Sequence, residues 1–236
     1  MTALEADAER PRAVIFLNGT YVSAAFDRRV AETADILLAA DGGAARLDAL
    51  GLRPAAVVGD LDSLDAETAT RLASEGVEFD RHPVRKDETD AELAVGRALS
   101  MGARSIVLAG GAQGALDHIL GHLTVLRRLA YEDVSAALVD VSIWVTVVVG
   151  PAELLLHGVD GRRVSLLAVG DGAVISLGGF DYELERGRLE GGACLGLGNT
   201  ARGPRQSVGA HEGAVLVLVC GDGLSVRAAR RSPAGR

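Results

Sequence analysis

The first 140 or so residues alternate short apolar runs with longer amphipathic segments. The apolar runs are "AVIFLNG", "ADILLAADGG", "AAVVGDLDS", "GVEFDRHP" and "RSIVLAGG", and their length and flanking turn residues predict five strands. Four longer segments, "AARLDALG", "AETATRLASEG", "TDAELAVGRALSMG" and "LDHILGHLTVLRRLA", place apolar residues three and four positions apart, which is the spacing of a helix. This alternation predicts a parallel sheet that is covered by helices on both faces.

The pattern changes after about Val141. Short β-branched runs such as "IWVTVVV", "AVISLGG" and "AVLVLVCG" are separated by glycine-rich turns, and helical spacing is absent from this part of the sequence. Such a pattern is typical of a small all-β sandwich or barrel. We therefore expect an α/β fold class: an N-terminal parallel-sheet (Rossmann-like) domain over residues 11–145, a smaller β-sandwich domain over residues 146–228, and a loose tail over residues 229–236.

Charge and composition narrow the class of partner. A net charge of −8 disfavours nucleic acid and anionic membranes, because both attract basic surfaces. The first residues are acidic and polar, unlike a signal peptide, and the apolar runs are too short to span a bilayer. The two cysteines, Cys194 and Cys220, match no metal-binding spacing. We expect a cytoplasmic protein that binds small molecules.

Acidic residues follow four of the predicted strands, at the point where each strand ends. They are Asp41 in "ADGG", Asp60 and Asp62 in "GDLDS", Asp90 in "RKDETD" and Asp117 in "GGAQGALDH". The carboxyl ends of parallel strands meet at one edge of a sheet, where open α/β sheets bind their ligands. Because carboxylates gathered at one edge repel each other, we expect a divalent cation among them.

Asp60 and Asp62 form the most informative pair in this set. Two carboxylates at i and i+2 on a tight turn suit Mg²⁺, which prefers a few carboxylates together with waters and substrate phosphates. Asp90 offers a third oxygen donor. Helix capping is the alternative interpretation, since Asp, Ser and Thr side chains in "GDLDS" and "ETD" could cap the helices that follow.

The segment "GGAQGALDH" is a glycine-rich turn that leads into a helix. Backbone N–H groups at such a helix start can bind a phosphate. The segment matches neither the dinucleotide fingerprint nor the phosphate loop of nucleotide hydrolases, so a dehydrogenase is disfavoured. His118, beside Asp117, could be a base or a packed or capping histidine.

Lys86 is the only lysine among 24 basic residues, and it directly precedes Asp87 and Glu88. An ammonium group is a compact point charge that can reach a phosphate oxygen in a crowded pocket, whereas a guanidinium is a wide planar fork. Lys86 is thus either a phosphate ligand or a lysine that occurs by chance in a chain whose basic residues are otherwise arginine.

Taken in order, "ADGGAARL", "VVGDLDSL", "KDETDAELAV" and "GGAQGALDHILGHL" resemble the thiamin pyrophosphokinase (thiamine diphosphokinase) family. The segment "GGFDYELERGRLEGGACLGLGN" extends the resemblance, which covers about residues 13–222. The resemblance implies a homodimer of two-domain subunits, with ATP bound by the α/β domain and thiamin bound with help from the β-sandwich. It also implies Mg²⁺-dependent transfer of a pyrophosphoryl group from ATP to the thiamin hydroxyl, giving thiamin diphosphate and AMP.

The resemblance further implies roles for individual residues. The catalytic residues would be Asp62, Lys86, Asp90 and Asp117. The metal ligands would be Asp60, Asp62 and Asp90. The ATP-binding residues would be Asp41, Gly42, Gly43, Lys86, Asp87, Thr89, Gly110, Gly111 and Asp117. The substrate-binding residues would be Gly198 and Asn199.

Three positions depart from the family pattern. Ala115 stands where the family usually has arginine, His122 where it often has asparagine, and Gly198 where it tends to have serine. Ala115 and Gly198 leave open the same chemistry on another hydroxymethyl heterocycle, such as a pterin. A nucleotide- or thiamin-binding regulator without turnover is a further alternative, which the retained acidic residues and Lys86 disfavour.

Overall fold

The computed structural model describes residues 3–4, 11–84 and 87–231, and the chain separates into two compact units. Of the described residues, the α/β unit comprises 11–125 and 138–140. The β unit comprises 3–4, 126–137 and 141–231. It includes the two-residue strand β1, Ala3–Leu4. Lys86 lies outside the described residues, as do residues 232–236.

The α/β unit contains five strands and the helices that connect them. The strands are β2 (Arg12–Phe16), β3 (Ile36–Ala40), β4 (Ala56–Gly59), β5 (Glu78–Arg81) and β6 (Ser105–Ala109). The helices are α1 (Ala24–Ala31), α2 (Gly43–Ala49), α3 (Ala66–Ser74), α4 (Asp90–Ser100) and α5 (Leu116–Tyr131), of which residues 126–131 are counted with the β unit. The strands pair in parallel in the order β6-β2-β3-β4-β5.

Four neighbouring strands of this sheet form the core of the α/β unit. Ile15, Leu38, Val57 and Ile106 are fully buried, one on each of the four strands β2, β3, β4 and β6. Strands buried on both faces carry nearly continuous apolar runs, which explains why the sequence shows runs and not alternation here. The predicted mixed α/β fold is confirmed in this respect.

The β unit contains the remaining strands. They are β7 (Ser135–Val139, whose residues 138–139 belong to the α/β unit), β8 (Ile143–Val149), β9 (Ala152–His157), β10 (Arg163–Gly178), β11 (Leu184–Glu190), β12 (Asn199–Thr200), β13 (Gln206–Cys220) and β14 (Arg227–Arg231). The long strands β10 and β13 pair antiparallel, with two register shifts along their length. β13 pairs with β8 through its second half and with β9 through its first half.

The structure differs from the sequence prediction at the C-terminal end. Residues 229–231 were expected in a loose tail, but they lie in β14, which pairs antiparallel with β9. The segment looks like a tail because it is rich in arginine. The unpaired side of β9 supplies backbone hydrogen-bond partners that composition does not reveal, and Ala228 is fully buried there.

Among the described residues, no helix has both the length and the apolar character needed to cross a membrane.

Candidate active site

Asp41 lies directly after β3, at the carboxyl-end edge of the parallel sheet. It is 4% exposed, and its φ of 44° lies in the left-handed region, which is costly for a residue other than glycine. The Asp41 N–H donates to the Val58 carbonyl at 2.9 Å, which attaches the residue to β4. Its Oδ2 accepts a hydrogen bond from Asn18 Nδ2 at 3.3 Å, whereas its Oδ1 is buried without any hydrogen-bond partner.

Asp60 and Asp62 follow β4 on the neighbouring turn. Leu61 between them has a φ of 65° and a buried side chain. Asp60 Oδ1 accepts from the Asp62 N–H at 3.2 Å, and Asp62 Oδ1 accepts from Ser63 Oγ at 3.0 Å. One carboxylate oxygen from each of Asp41, Asp60 and Asp62 lies within 4.8 Å of the other two. The structure thus brings together three of the predicted acids.

Helix capping does not account for these acids. The N-cap of α3 is Asp65, which accepts from the Thr68 N–H at 2.8 Å. The N-cap of α4 is Thr89, which forms a capping box with Glu92. Asp60 and Asp62 therefore lie before the cap of their helix, and Asp90 is the first residue inside its own helix.

Asp90 approaches Asp41 across Gly59, the last residue of β4. A Cβ atom on Gly59 would lie 2.8 Å from Asp90 Oδ1 and 3.2 Å from Asp41 Cβ, and Gly59 has a φ of 145°. A side chain at position 59 would therefore push the two acids apart. The predicted metal ligands were Asp60, Asp62 and Asp90. Among the described residues, the group of close carboxylates consists of Asp60, Asp62 and Asp41, and Asp90 lies beside this group.

A cavity of about 390 Å³ opens next to these acids within the α/β unit. Its walls include four predicted site residues and three polar residues that the site prediction did not include. The predicted ones are Asp41, Thr89, Asp90 and Asp117; the others are Asn18, His118 and His122. A volume of this size fits part of a nucleotide or another small molecule.

The predicted glycines follow β3 and β6, and none of them is among the residues that line this cavity. Gly42 is the N-cap of α2 and Gly43 is its first residue, directly after Asp41. Gly110 and Gly111 follow β6, and the Gly111 carbonyl accepts a hydrogen bond from His122 Nδ1 at 3.0 Å. Their contact with a phosphate stays a prediction.

Three side chains near the start of α5 line the cavity. Asp117 is exposed, and its Oδ1 accepts from the His118 N–H at 2.9 Å. The His118 and His122 rings stand edge to face, with centroids 6.5 Å apart. Burial lowers the pKa of His122, and the neighbouring His118 lowers it further, although the hydrogen bond to Gly111 acts in the opposite direction. The lowered pKa favours the neutral ring, and the hydrogen bond to the Gly111 carbonyl places its proton on Nδ1.

Asn18 and Ser63 are part of the site, although the site prediction did not include them. Asn18 Nδ2 donates to both Asp41 Oδ2 and Ser63 Oγ. Asn18 follows β2 just as the predicted acids follow their own strands, so the rule that found the acids could have found it. Asp87, predicted to bind ATP, is exposed and is not among the residues that line the cavity.

Gly198 and Asn199 belong to the β unit. The Asn199 side chain is 7% exposed; its Oδ1 accepts from the N–H groups of Tyr182 and Thr200, and its Nδ2 donates to the Tyr182 carbonyl. Asn199 also borders a mainly apolar cavity of about 400 Å³ in the β unit, whose walls include Leu166, Ile175 and Leu177. Gly198 donates its N–H to Ser165 Oγ at 3.1 Å.

The sequence is similar to that of known proteins. Residues 28–138 match the family model described as the catalytic domain of thiamin pyrophosphokinase. A thiamine pyrophosphokinase from Bacillus subtilis (strain 168) is 23% identical over 180 residues, which cover 75% of this chain and 84% of that protein.

Solved structures show the same fold. The crystal structure of thiamin pyrophosphokinase from Geobacillus thermodenitrificans has a TM-score of 0.77 and 25% identity, covering 89% of this chain and 98% of that one. The Bacillus subtilis enzyme superposes with a TM-score of 0.78 at 21% identity, covering 89% of this chain and 99% of that one. The yeast enzyme has a TM-score of 0.77 at 14% identity, covering 92% and 89%. The resemblance to the thiamin pyrophosphokinase family is therefore confirmed, both in the sequence of residues 28–138 and in the fold of the chain.

Proposed function

We propose that this chain is a thiamine diphosphokinase, which transfers a pyrophosphoryl group from ATP to the hydroxyl of thiamin and gives thiamin diphosphate and AMP. The observation that carries the proposal is the buried, unpartnered Oδ1 of Asp41, which lies in the carboxylate group of Asp41, Asp60 and Asp62. The match of residues 28–138 to the family's catalytic domain supports the same enzyme class.

The acidic group fits a divalent cation. A buried carboxylate oxygen without a hydrogen-bond donor is unfavourable unless a cation takes the donor's place. Three carboxylates within 4.8 Å of each other also repel strongly without a positive charge among them. We therefore assign Asp41, Asp60 and Asp62 to bind Mg²⁺, with Asp90 next to them. When bound, Mg²⁺ neutralises the charge on the phosphate oxygens.

The cavity beside this group would receive the phosphates of ATP. Asp41, Thr89 and Asp117 line it, and Gly110 and Gly111 lie on the turn after β6. The family resemblance adds Gly42, Gly43, Asp87 and Lys86 to the ATP-binding residues, and Lys86 would provide a positive charge for a phosphate oxygen.

The transfer forms one bond and breaks another. The thiamin hydroxyl oxygen bonds to the β-phosphorus, and the bond from that phosphorus to the oxygen bridging to the α-phosphate breaks, so that AMP leaves. The hydroxyl proton needs an acceptor, and we assign this role to the Asp117 carboxylate in the cavity wall. Positioning of the reacting groups and stabilisation of the developing charge would supply most of the rate enhancement.

The β unit would contribute to thiamin binding. Its cavity of about 400 Å³ is mainly apolar and is bordered by Asn199, one of the two predicted substrate-binding residues. Leu166, Ile175 and Leu177 could pack against the thiamin rings, and Gly198 is adjacent in sequence to Asn199. The homodimer remains a proposal that rests on the family resemblance.

The decisive experiment is an assay of AMP release from ATP and Mg²⁺, with thiamin and a panel of other hydroxylated heterocycles, including a hydroxymethyl pterin. AMP and thiamin diphosphate formed with thiamin alone are expected. AMP formed only with another heterocycle would mean that the chain catalyses the same transfer to a different acceptor. ATP binding without AMP formation for any acceptor would contradict catalysis and favour a regulator.

A further inference from the structure

Asn18 connects two of the acidic loops of the α/β unit through side-chain hydrogen bonds. Its Nδ2 donates to Asp41 Oδ2 at 3.3 Å and to Ser63 Oγ at 3.1 Å, so both amide hydrogens are used. Ser63 Oγ in turn donates to Asp62 Oδ1 at 3.0 Å. A continuous chain of hydrogen bonds therefore runs from Asp41 through Asn18 and Ser63 to Asp62.

The direction of these bonds is fixed by the groups involved. An amide nitrogen only donates, and the serine hydroxyl that accepts from it passes its own hydrogen onward. Both ends of the chain are therefore carboxylate oxygens that accept. This arrangement directs one hydrogen-bond donor at each of the two carboxylates, Asn18 Nδ2 at Asp41 and Ser63 Oγ at Asp62. It also occupies Oδ2 of Asp41 and leaves the buried Oδ1 without a donor.

Packing on both sides keeps Asn18 in place. A Cβ atom on Gly42 would overlap the Asn18 amide, so the absence of a side chain at position 42 lets the amide lie against the start of α2. The backbone before Asn18 is attached to β6, because the Leu17 N–H donates to the Ala109 carbonyl at 3.0 Å. Tyr21 Oη also donates to the Leu17 carbonyl, at 2.6 Å. The amide thus has a defined position relative to the two acidic loops.

We propose that Asn18 and Ser63 are positioning residues, which set the spacing and orientation of the Asp41 and Asp62 carboxylates for a divalent cation. Outer hydrogen-bond partners of metal ligands commonly have this role. The inference rests on the metal group of the proposed function and does not depend on which acceptor receives the pyrophosphoryl group. Because Asn18 and Ser63 are both exposed, their loss should change cation binding much more than stability.

The test is a double-mutant cycle on the full chain, with Mn²⁺ as the probe. Mn²⁺ is titrated into the parent, Asn18→Ala, Ser63→Ala and the double variant, without ATP or thiamin, and free Mn²⁺ is followed by electron paramagnetic resonance. Asn18→Ala is expected to weaken Mn²⁺ binding about tenfold or more, and Ser63→Ala to weaken it less. The double variant should lose less than the product of the two single losses, because the hydrogen bonds form one chain.

Ser74→Ala is the matched control. Its hydroxyl is also exposed and donates one hydrogen bond, to the Arg71 carbonyl at the end of α3, away from the acids. Its Mn²⁺ affinity should equal that of the parent. Thermal unfolding of all variants, expected within a few degrees of the parent, separates a positioning effect from misfolding.

Three results would overturn the inference: a parent protein that binds no Mn²⁺, an Asn18→Ala variant whose affinity stays within twofold of the parent, or single losses that multiply in the double variant. An Asn18→Ala variant with a raised KM for ATP and unchanged Mn²⁺ affinity would make Asn18 a nucleotide contact instead. The titration needs neither substrate. A parent that forms no AMP, but whose Mn²⁺ affinity depends on Asn18 and Ser63 as described, would therefore refute the proposed function and leave this inference supported.

Discussion

The two asparagines of the chain, Asn18 in the α/β unit and Asn199 in the β unit, use the same side chain in opposite ways. Asn18 donates to the side chains of Asp41 and Ser63, on two other loops. Asn199 directs its whole amide at nearby backbone, with three hydrogen bonds to Tyr182 and Thr200. The first residue organises other functional groups, and the second organises the backbone around it.

The carboxylate next to Asn18 extends the contrast. Asp41 has a buried oxygen with no hydrogen-bond partner, which is a rare and unfavourable condition for a polar atom inside a protein. In the β unit, Asp181 is exposed and paired with Arg202, which lowers the pKa of Asp181. The unpartnered oxygen of Asp41 lies within a group of three carboxylates and is available to a cation, whereas the Asp181 carboxylate already contacts a cationic side chain.

The largest effect should follow from removing the unpartnered charge. Asp41→Asn keeps the volume of the side chain but replaces the buried oxygen group with a neutral amide, which is a far weaker cation ligand. We expect a loss of about a thousandfold in the rate of AMP formation, or about 4 kcal/mol in the barrier, together with loss of Mn²⁺ binding. Asp171→Asn, at an exposed position in the β unit, is the control and should be fully active. An Asp41→Asn rate within tenfold of the parent would remove Asp41 from the metal group.

Asn199→Ala should reduce stability. The substitution leaves a backbone N–H and a carbonyl of Tyr182 without their partners, at a cost of about 2 kcal/mol in the free energy of unfolding. Urea denaturation measures this cost. Asn199→Asp keeps the accepting oxygen and should lose less. A raised KM for thiamin with unchanged stability would instead place Asn199 among the substrate contacts and weaken the contrast with Asn18.

Lys86→Ala tests the sequence argument for the single lysine, which lies outside the described residues. We expect kcat to fall more than tenfold, about 1.4 kcal/mol in the barrier, because a positive charge facing the phosphates is lost. Lys86→Arg should recover only part of the rate, because a guanidinium is wider than an ammonium. A smaller loss in Lys86→Ala would indicate that Lys86 does not bind a phosphate and that a lysine occurs at this position by chance.

The smallest effect concerns the pH dependence of stability. The folded protein lowers the pKa of His122, so the unfolded chain takes up this proton more readily than the folded one. The parent should therefore lose stability as the pH falls below the ordinary histidine value of about 6.5 and on through the lowered folded value. His122→Gln removes this contribution.

Urea denaturation of both proteins at about pH 7.5 and about pH 5.5 measures the difference in this window. Thr124→Ala, at an exposed position of the same helix, changes no titrating group and is the control, which should follow the parent closely. Equal pH dependence in the parent and His122→Gln would contradict the lowered pKa.

Much of the α/β unit and the positions of its acids could be predicted from residue order. Buried parallel strands require continuous apolar runs, and a loop after each strand places its polar residues at the same edge of the sheet. Asp41, Asp60, Asp62 and Asp90 were found by this reasoning, and the structure places Asp41, Asp60 and Asp62 close together with Asp90 beside Asp41.

Other features depend on which groups meet in space. The sequence did not show that Asp65 caps α3 and Thr89 caps α4, because several Asp, Ser and Thr residues near each helix start are suitable N-caps. β14 forms because the edge of β9 is available to it, despite an arginine-rich sequence.

Sequence order thus determined the type of most elements of the α/β unit and the edge of the sheet at which the acids gather, because periodicity and strand direction are local properties. The packing of separate loops decided that Asn18 and Ser63 connect Asp41 to Asp62, and that one oxygen of Asp41 is buried without a partner. Hydrogen bonds between residues that are distant in sequence depend on backbone positions that only the assembled sheet defines.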